Sequence, residues 1–574
     1  MGIFARGRAK QPAEYGKGTG IAISKGQIFG LLVGIGFLGF LVTTDTQIPS
    51  GIIAAIGGIA FVMLFFATMR YPELALYGMV AYLPFSKILP GDFGGAAAGV
   101  NMTNLFMAII IFGWMSSGAS GSTKHWEHHP LHIPIILFAI WGVVSFFHSI
   151  TVLGWWVFTD RVSDVKRWLD PIIIYFLFFH VIQDKRRWKT VVVVLLIGVF
   201  MAAFSAVWEY QTDSGGGSLE SERIGGIAQQ PNILGAFFVY YMFIYASFWL
   251  ENVAKAKAWL NLLPFVVCLR GIMVTFSRGA YLAFATGILG ITFFKNKILF
   301  VLTCVAIAFV LMNPWMLPAG IRMRLESTFK PNTQLADPYG TGGAEEVEGH
   351  LDKSSQMRLV IWRAGLAMVK SHPFVGVGFG EFQNAVGHYS DEVAQIDAHN
   401  AYVIMAAELG IPALILFVVM LLTLMWYTSR VYELETDPFI RATALGFLGG
   451  LSGLLMANMF GSRLNSVEVA GYFWILAALI ARAHKWVMDE HRDRRDTEAA
   501  EAKSRRPGIR LSPREQRLLD AKKQQGQTPP PLAQRRRPGS PPPRKTGKPR
   551  RAGDVRRPDE GGGWTDRDAT GRFQ

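Results

Sequence analysis

Fourteen apolar stretches follow one another along the chain, and they constrain its fold more than any other feature. They reach about 17–20 residues, which is the length that an α-helix needs to cross a hydrocarbon layer. The chain is 51% hydrophobic and only 17% charged, with a mean hydropathy of +0.27. A soluble chain of 574 residues would instead show amphipathic elements. We therefore predict an all-α, polytopic membrane protein with about 12–14 transmembrane helices.

The predicted spans are separated mostly by short polar loops. They cover residues 27–43, 49–67, 74–90, 101–117, 131–149, 168–183, 190–209, 231–250, 258–276, 279–294, 298–313, 399–427, 440–460 and 466–483. The first is followed directly by the second without a cleavage pattern, so it is predicted to be a retained helix and not a signal peptide. The span 74–90 is the weakest because it contains Pro84, Lys87 and Pro90, and a count of twelve is the alternative.

The distribution of Lys and Arg predicts the orientation. An even number of spans places both termini on one side, together with the basic loops 184–189, 255–257 and 295–297. Because cytoplasmic loops carry the excess of positive charge, residues 1–26 and the C-terminus are predicted to be cytoplasmic. The loop that contains Arg161, Lys166 and Arg167 does not fit this rule.

One connection is much longer than the others. Residues 314–398 are predicted to lie outside the cytoplasm, and loops of this length are usually functional or disordered. They contain an amphipathic stretch at 357–371 and then a glycine-punctuated apolar segment, HPFVGVGFGEF, at 372–382. We interpret this connection as a lid that lies on the outer membrane surface.

The chain ends in a basic tail, residues 484–574. From Lys485 onward it holds 24 Lys and Arg residues against 13 Asp and Glu, and it is rich in proline. Such a composition predicts disorder, and a basic segment beside a membrane helix favours contact with anionic lipids over nucleic acid. The two cysteines, Cys268 and Cys304, are predicted to be apolar packing residues.

Four polar residues are predicted to meet on the outer side. Arg223 precedes the eighth span, Arg278 lies at the turn between the ninth and tenth, and Asp397 and His399 open the twelfth. Guanidinium groups bind phosphate oxygens in pairs, and histidine can take a proton from a hydroxyl. The set suits substitution at a sugar carbon that carries a diphosphate leaving group.

Each of these residues also has a structural alternative. An arginine at a helix end can anchor the helix at the interface or be a plain loop charge. His399 can cap a helix or meet lipid headgroups, and Asp397 can either orient His399 or cap the twelfth span.

Two charged residues rank lower because they lie inside spans. Arg270 is within the ninth span, and Glu408 is within the twelfth, next to a kink predicted at Gly410–Pro412. A transporter in which both line a pathway is the rival interpretation, although the two halves of the chain show no internal repeat. No metal-binding or nucleotide-binding motif is present, so neither a metal nor a cofactor is predicted.

Several motifs together resemble the superfamily of O-antigen ligases and polymerases, which are bacterial envelope enzymes. They are the pattern Arg223, Gly226, Asn232 and Gly235, the turn TFSRGAYLA around Arg278, the segment HPFVGVGFGEF, and HNAYVIMAAELGIPAL, which is the most specific. The resemblance covers about residues 191–460.

This resemblance implies a donor, a site and a location. The donor would be a glycan on undecaprenyl diphosphate, transferred without metal or nucleotide to an acceptor hydroxyl on the periplasmic side of the bacterial inner membrane. Arg223 and Arg278 would contact the diphosphate and His399 would be catalytic. Arg358 fits the family's loop arginine, with Arg363 as the competing choice.

The acceptor is left open by the sequence. Lipid A core would make the protein a ligase, a growing lipid-linked chain a polymerase, and a protein serine or threonine a protein O-glycosylation ligase. A scaffold that recruits cytoplasmic partners through its tail is a further alternative.

Overall fold

The computed structural model describes residues 65–68, 71, 73–89, 101–119, 126–213, 222–329, 353–505 and 511–526. Helices dominate these residues, and no β-strand occurs among them. The α-helices are α1 (Glu73–Tyr82), α2 (Met102–Ala119), α3 (His132–Leu153), α4 (Trp156–Val181), α5 (Lys185–Asp213), α6 (Pro231–Leu250), α7 (Leu262–Val274), α8 (Arg278–Lys295), α9 (Lys297–Met312), α10 (Ala319–Phe329), α11 (Lys353–Ser371), α12 (Phe382–Ala385), α13 (Ala401–Leu434), α14 (Pro438–Ala457), α15 (Val467–Ser504) and α16 (Pro513–Gly526).

Seven of the described helical segments are long and apolar enough to cross a membrane. They are α3, α5, α6, the segment Ala256–Val274 that ends in α7, α13, the segment Pro438–Phe460 that begins with α14, and α15. Three shorter apolar helices lie at Glu73–Phe85, Met102–Ser116 and Lys297–Met312. The predicted multi-pass helical fold is confirmed. The predicted N-terminus, the span 27–43 and most of the span 49–67 lie outside the described residues, so the total count stays a prediction.

Glycines let three helices of the bundle approach one another closely. A Cβ added at Gly446 or Gly450 of α14 would fall 2.3 Å from Ile244 Cα or 2.1 Å from Tyr240 O of α6. On α8, a Cβ at Gly287 would fall 2.2 Å from Phe243 Cε2. Small residues at such contacts are typical of membrane helices, because van der Waals packing replaces the hydrophobic effect between helices in lipid. The triplet α6, α8 and α14 is therefore packed through its backbones.

Helix α15 is buried among other helices over most of its apolar length. Every residue from Glu468 to His484 is buried. This stretch is therefore surrounded by protein on all sides, and α15 is the interior element of the bundle.

Charged residues begin α4, and the structure differs there from the predicted span 168–183. The helix begins at Trp156, well before the predicted start. Its charges are paired: Lys166 Nζ lies 2.6 Å from Asp170 Oδ2, and Arg161 Nε lies 3.1 Å from Glu381 Oε1 of the long loop. Arg161 and Lys166, which did not fit the rule for loop charges, thus belong to ion pairs of a helix.

The expected disorder from residue 484 onward also differs from the described residues. The chain forms two compact units, the first ending at Arg492 and the second beginning at Asp493. In the second unit the last turns of α15 pair with α16 through Lys503–Glu515, Arg514–Asp496 and Lys522–Glu501, at 2.6, 2.8 and 2.6 Å. Opposite charges on two adjacent helices favour this hairpin. Residues 527–574 lie outside the described part.

Candidate functional site

The helix α13 is broken near its start, and the break is supported by the long loop. Gly410 has φ 85° and ψ 171°, and Pro412 follows it. The break removes the usual i+4 partners from the carbonyls before it, because Pro412 has no N–H and the chain turns away. Val377 N donates to Ala407 O at 2.8 Å, and Gly378 N donates to Glu408 O at 3.1 Å. The predicted kink at Gly410–Pro412 is confirmed.

A polar edge of α3 completes the support of this break. Trp141 Nε1 donates to Leu409 O at 2.9 Å, and Ser145 Oγ donates to Glu408 O at 3.0 Å. Further along, Ser149 Oγ accepts a hydrogen bond from Phe379 N at 3.0 Å. Segment 372–382 therefore inserts between α3 and the break in α13, whereas the sequence had suggested a lid that lies on the membrane surface.

Glu408 is part of the same support. Its Oε1 accepts a hydrogen bond from Phe382 N at 3.0 Å, which holds the end of the glycine segment. Arg270, the other charge of the transporter hypothesis, is exposed on α7 with its guanidinium 5.2 Å from the ring centre of Tyr210. Among the described residues no hydrogen bond or ion pair joins Glu408 to Arg270, so the transporter hypothesis gains no support from them.

Asp397 and His399 form a hydrogen-bonded pair at the start of α13. Asp397 Oδ2 lies 3.1 Å from His399 Nδ1 and accepts the backbone N–H of His399 at 2.9 Å. Because an ionised carboxylate only accepts hydrogen bonds, the tautomer of the neutral ring that this contact selects has its proton on Nδ1 and its lone pair on Nε2. The His399 side chain is 44% exposed, so Nε2 belongs to a ring that a substrate can reach.

The helix cap at this point is Asn400. Its Oδ1 accepts the backbone N–H groups of Tyr402 and Val403 at 3.0 and 3.2 Å, which are donors left open at a helix start. Of the two alternatives for Asp397, the contact with His399 is therefore the one that the structure contains. Although burial alone would raise the pKa of Asp397, the hydrogen bonds from His399 lower it below the usual value.

Helix α11 packs against the start of α13 and the residues just before it. Trp362 Nε1 donates to Ala398 O at 2.9 Å, and a Cβ at Gly365 would fall 2.5 Å from Val403 Cγ1. One face of α11 contributes to a separate small hydrophobic core. This core is formed by Ile361, Ala364, Met368, Phe382, Val386, Val393, Ala398 and Ala407. The described residues 353–398 of the long loop are therefore a packed subdomain against α13, which positions the histidine.

A second network holds Arg223 in the loop before α6. Arg223 donates from Nε to Thr275 O at 3.1 Å and from a terminal nitrogen to Asn232 Oδ1 at 2.8 Å. Ser277 Oγ also donates to Asn232 Oδ1, at 2.8 Å. Because Ser277 is the N-cap of α8, the network ties Arg223 to the turn that carries Arg278. Asn232 thus joins the two loops of the predicted arginine pair.

The two arginines proposed for the long loop differ in their surroundings. Arg358 is half-buried on α11, and its positive charge acts on Arg463. Arg363 is exposed on the same helix. The structure therefore brings Arg358 toward the other charged groups and leaves Arg363 in the open.

Arg463 is a residue that the sequence analysis did not single out. It lies in the turn between α14 and α15, and only 8% of it is exposed. The positive charges of Arg223 and Arg358 and the negative charge of Asp397 all act on it. The single clue in the sequence is an arginine beside an apolar span, which is also the mark of an interface anchor.

An apolar cavity of about 540 Å³ lies far along the helices from this group. Its wall includes Leu196 and Phe200 of α5, Phe248 near the end of α6, and Lys255 and Lys257 of the following loop. The candidate residues are instead at the opposite end of α6, where the helix begins. None of them lines this cavity. Within the described part of the chain, no group of three or more His, Cys, Asp or Glu side chains is arranged to hold a metal ion.

The chain was compared with known proteins. The family model described as O-antigen ligase matches residues 263–418, which run from α7 into α13 and include Arg278, Arg358 and His399. This range is narrower than the expected resemblance over about residues 191–460, and it leaves Arg223 and Asn232 outside. No curated protein matches the chain. Together with the helical multi-span fold, the match confirms the predicted resemblance to the O-antigen ligase superfamily.

Proposed function

We propose that the protein transfers a glycan from undecaprenyl diphosphate to an acceptor hydroxyl on the periplasmic side of the bacterial inner membrane. The observation that carries this proposal is the Asp397–His399 pair, which leaves a lone pair on Nε2 of an accessible ring. The pair lies inside the region that matches the O-antigen ligase family, and Arg223 is held by hydrogen bonds to Thr275 and Asn232.

The chemistry follows from these groups. His399 Nε2 takes the proton of the acceptor hydroxyl while that oxygen attacks the anomeric carbon of the donor sugar. The bond from this carbon to the diphosphate oxygen breaks, and the diphosphate leaves with the electron pair. Arg223, Arg278 and Arg358 bind the leaving group and stabilise its charge. The proton on His399 then passes to solvent, and Asp397 keeps the ring oriented throughout.

The experiment is a transfer assay with purified full-length protein and a lipid-linked glycan donor. His399→Ala should lower the rate by about 10²- to 10⁴-fold, the usual contribution of a positioned general base. His388→Ala is the matched control, because His388 is an exposed histidine of the same long loop and should leave the rate unchanged. A His399→Ala protein that transfers glycan at the wild-type rate would refute the proposed base.

A second experiment separates ligase from polymerase. Surface glycans of a deletion strain are analysed together with the glycans that remain on the lipid carrier. Full-length chains on the carrier indicate a ligase, single repeat units indicate a polymerase, and unmodified protein acceptors indicate protein O-glycosylation. We expect full-length chains, and single repeat units would overturn that expectation.

A further inference from the structure

The turn between α14 and α15, residues 458–466, places a buried arginine in an unusual setting. Arg463 donates a hydrogen bond to Phe460 O at 2.7 Å. Among the described residues it forms no ion pair at salt-bridge distance with a carboxylate, in contrast to Arg482, the other deeply buried arginine, which pairs with Glu127. Burying a charge without a partner is costly, so this arrangement favours a site that an anion completes.

The charges around Arg463 point to the same conclusion. Arg358 and Arg223 oppose its charge, and Asp397 is the carboxylate that favours it. Burial, with the two positive neighbours, lowers the pKa of Arg463 to about 10, so it is still protonated at neutral pH. Arg463 and the two arginines that act on it thus outnumber the one carboxylate that acts on it, and the excess positive charge attracts an anion with more than one charge.

Neutral polar groups near this arginine also lack partners. Both amide atoms of Asn458, Ser462 Oγ and the hydroxyl of Tyr240 are buried without a hydrogen bond to any described residue. Buried polar atoms in proteins are nearly always paired. Four such atoms, three of them in the turn itself and one on a tyrosine that interacts with Arg463, indicate that a ligand or bound water supplies the missing partners.

The backbone of the turn fixes where the guanidinium lies. A Cβ at Gly461 would fall 2.2 Å from Arg463 Cζ, so glycine leaves the room that the side chain occupies. The same turn is tied to the predicted site, since a Cβ at Gly279 would fall 3.0 Å from Phe460 Cβ. The turn therefore packs directly against the residue that follows Arg278.

We propose that the α14–α15 turn is a third wall of the donor site, in which Arg463 binds phosphate oxygens of the lipid diphosphate. Asn458, Ser462 and Tyr240 supply neutral hydrogen bonds to the same group or to the water around it. This inference rests on the proposed function, because it assumes a diphosphate donor. It adds a binding residue from outside the matched region 263–418.

The test measures binding of farnesyl diphosphate, a polyprenyl diphosphate without a glycan, to purified full-length protein. Arg463→Gln should weaken binding by about tenfold to a hundredfold, the range for losing a charged hydrogen bond. Arg463→Lys should keep part of the affinity because it keeps the charge. Arg430→Gln is the control, since Arg430 is exposed near the far end of α13, and its affinity should equal that of the wild type. Farnesol should bind the wild type and Arg463→Gln equally.

Gly461→Ala provides a variant that keeps the arginine. It should displace the guanidinium and weaken farnesyl diphosphate binding, as Arg463→Gln should. It therefore tests the position of the guanidinium even if Arg463→Gln fails to fold. If the wild type binds the diphosphate and Arg463→Gln, Arg463→Lys and Gly461→Ala bind it equally well, the role of Arg463 is wrong. The proposed function would then still stand, provided that Arg223→Gln weakens binding. If the wild type itself does not bind the diphosphate, the donor class is wrong and both proposals fall.

Discussion

At the scale of single residues, the Asp397–His399 pair combines a hydrogen-bonded ring with a strained backbone. His399 has φ 50°, a left-handed conformation that costs a non-glycine residue free energy and persists only where its surroundings impose it. The Asp397 carboxylate imposes it here, because one oxygen binds both the backbone N–H and the ring N–H of His399. The same carboxylate thus sets the position and the tautomer of the ring.

The lowered pKa of Asp397 predicts how stability changes with pH. Its folded-state pKa lies below the usual 3.8, so the ionised carboxylate stabilises the folded state fully above the unfolded pKa. This contribution is lost as the pH falls through the folded-state pKa. We expect Asp397→Asn to lower the Tm more at about pH 5 than at about pH 3.

Thermal unfolding of wild type and variant at both pH values provides the measurement. Asp391→Asn is the control, because Asp391 is exposed in the same loop and should change the Tm little at either pH. A Tm difference for Asp397→Asn that grows toward pH 3 would contradict the assignment.

At the scale of elements, the break in α13 is the feature that positions the site. Freed carbonyls at Ala407, Glu408 and Leu409 find donors on two other elements, the glycine segment and α3. Satisfying them is required, since an unpaired backbone group within a membrane costs several kcal/mol. The break, the inserted segment and the polar edge of α3 are therefore one unit.

Gly410→Ala should disrupt this unit. A Cβ at Gly410 would fall 2.0 Å from Phe374 O, and its φ of 85° suits glycine. We expect a loss of at least about 1–3 kcal/mol from backbone strain, with the clash in addition. Hydrogen exchange of residues 372–385 should become faster.

The control for this prediction is Gly387→Ala in the same loop. There the nearest heavy atom to an added Cβ is Ala394 Cβ at 3.5 Å, which is ordinary contact. Equal exchange rates of residues 372–385 in wild type and Gly410→Ala would show that the break does not hold the inserted segment.

At the scale of the whole molecule, the interior helix α15 joins opposite ends of the bundle. Near its start lies the turn of Arg463, and further along Arg482 pairs with Glu127 and donates from Nε to Phe179 O at 2.9 Å. Close by, His129 Nε2 and His484 Nδ1 lie 3.0 Å apart, and burial lowers the pKa of His129 to about 2. This buried polar cluster lies on the far side of the bundle from the candidate site.

Arg482→Gln should destabilise the whole bundle. Removing one member of a buried ion pair leaves the other charge unpaired and costs about 3–5 kcal/mol. Arg492→Gln on the same helix is the control. Arg492 and its partner Asp489 are both exposed. Exposed ion pairs contribute about 0–1 kcal/mol to the free energy of unfolding.

Thermal unfolding in detergent compares the two variants with wild type. Glu127→Gln combined with Arg482→Gln should cost less than the sum of the single changes, because the double variant leaves no unpaired charge. Additive losses would contradict the pairing.

Local patterns were sufficient to predict several features of this protein. The length of the apolar stretches predicted the helices, because a backbone in lipid must satisfy its own N–H and C=O groups, as a helix does. Gly410 with Pro412 predicted the break, and the motif around Arg278 and His399 predicted the family that the match supports. Arg223 and Asn232 were chosen from one motif, and the structure joins them by a hydrogen bond.

Contacts between distant residues could not be derived from those patterns. Asn400 and not Asp397 caps the helix, because the Asp397 carboxylate is bound to His399. That contact could not be chosen over the cap from the sequence pattern. The ion pair of Arg161 on α4 depends on Glu381, which lies 220 residues away along the chain.

The helical membrane fold and the resemblance of residues 263–418 to the O-antigen ligase family were both readable from the linear chain, because each follows from the order of residues along one segment. The electrostatic influence of Arg223, Arg358 and Asp397 on Arg463 became visible only once the chain was folded. Charge acts through space, and a buried arginine and an interface anchor look the same in a linear chain until the fold shows which groups surround them.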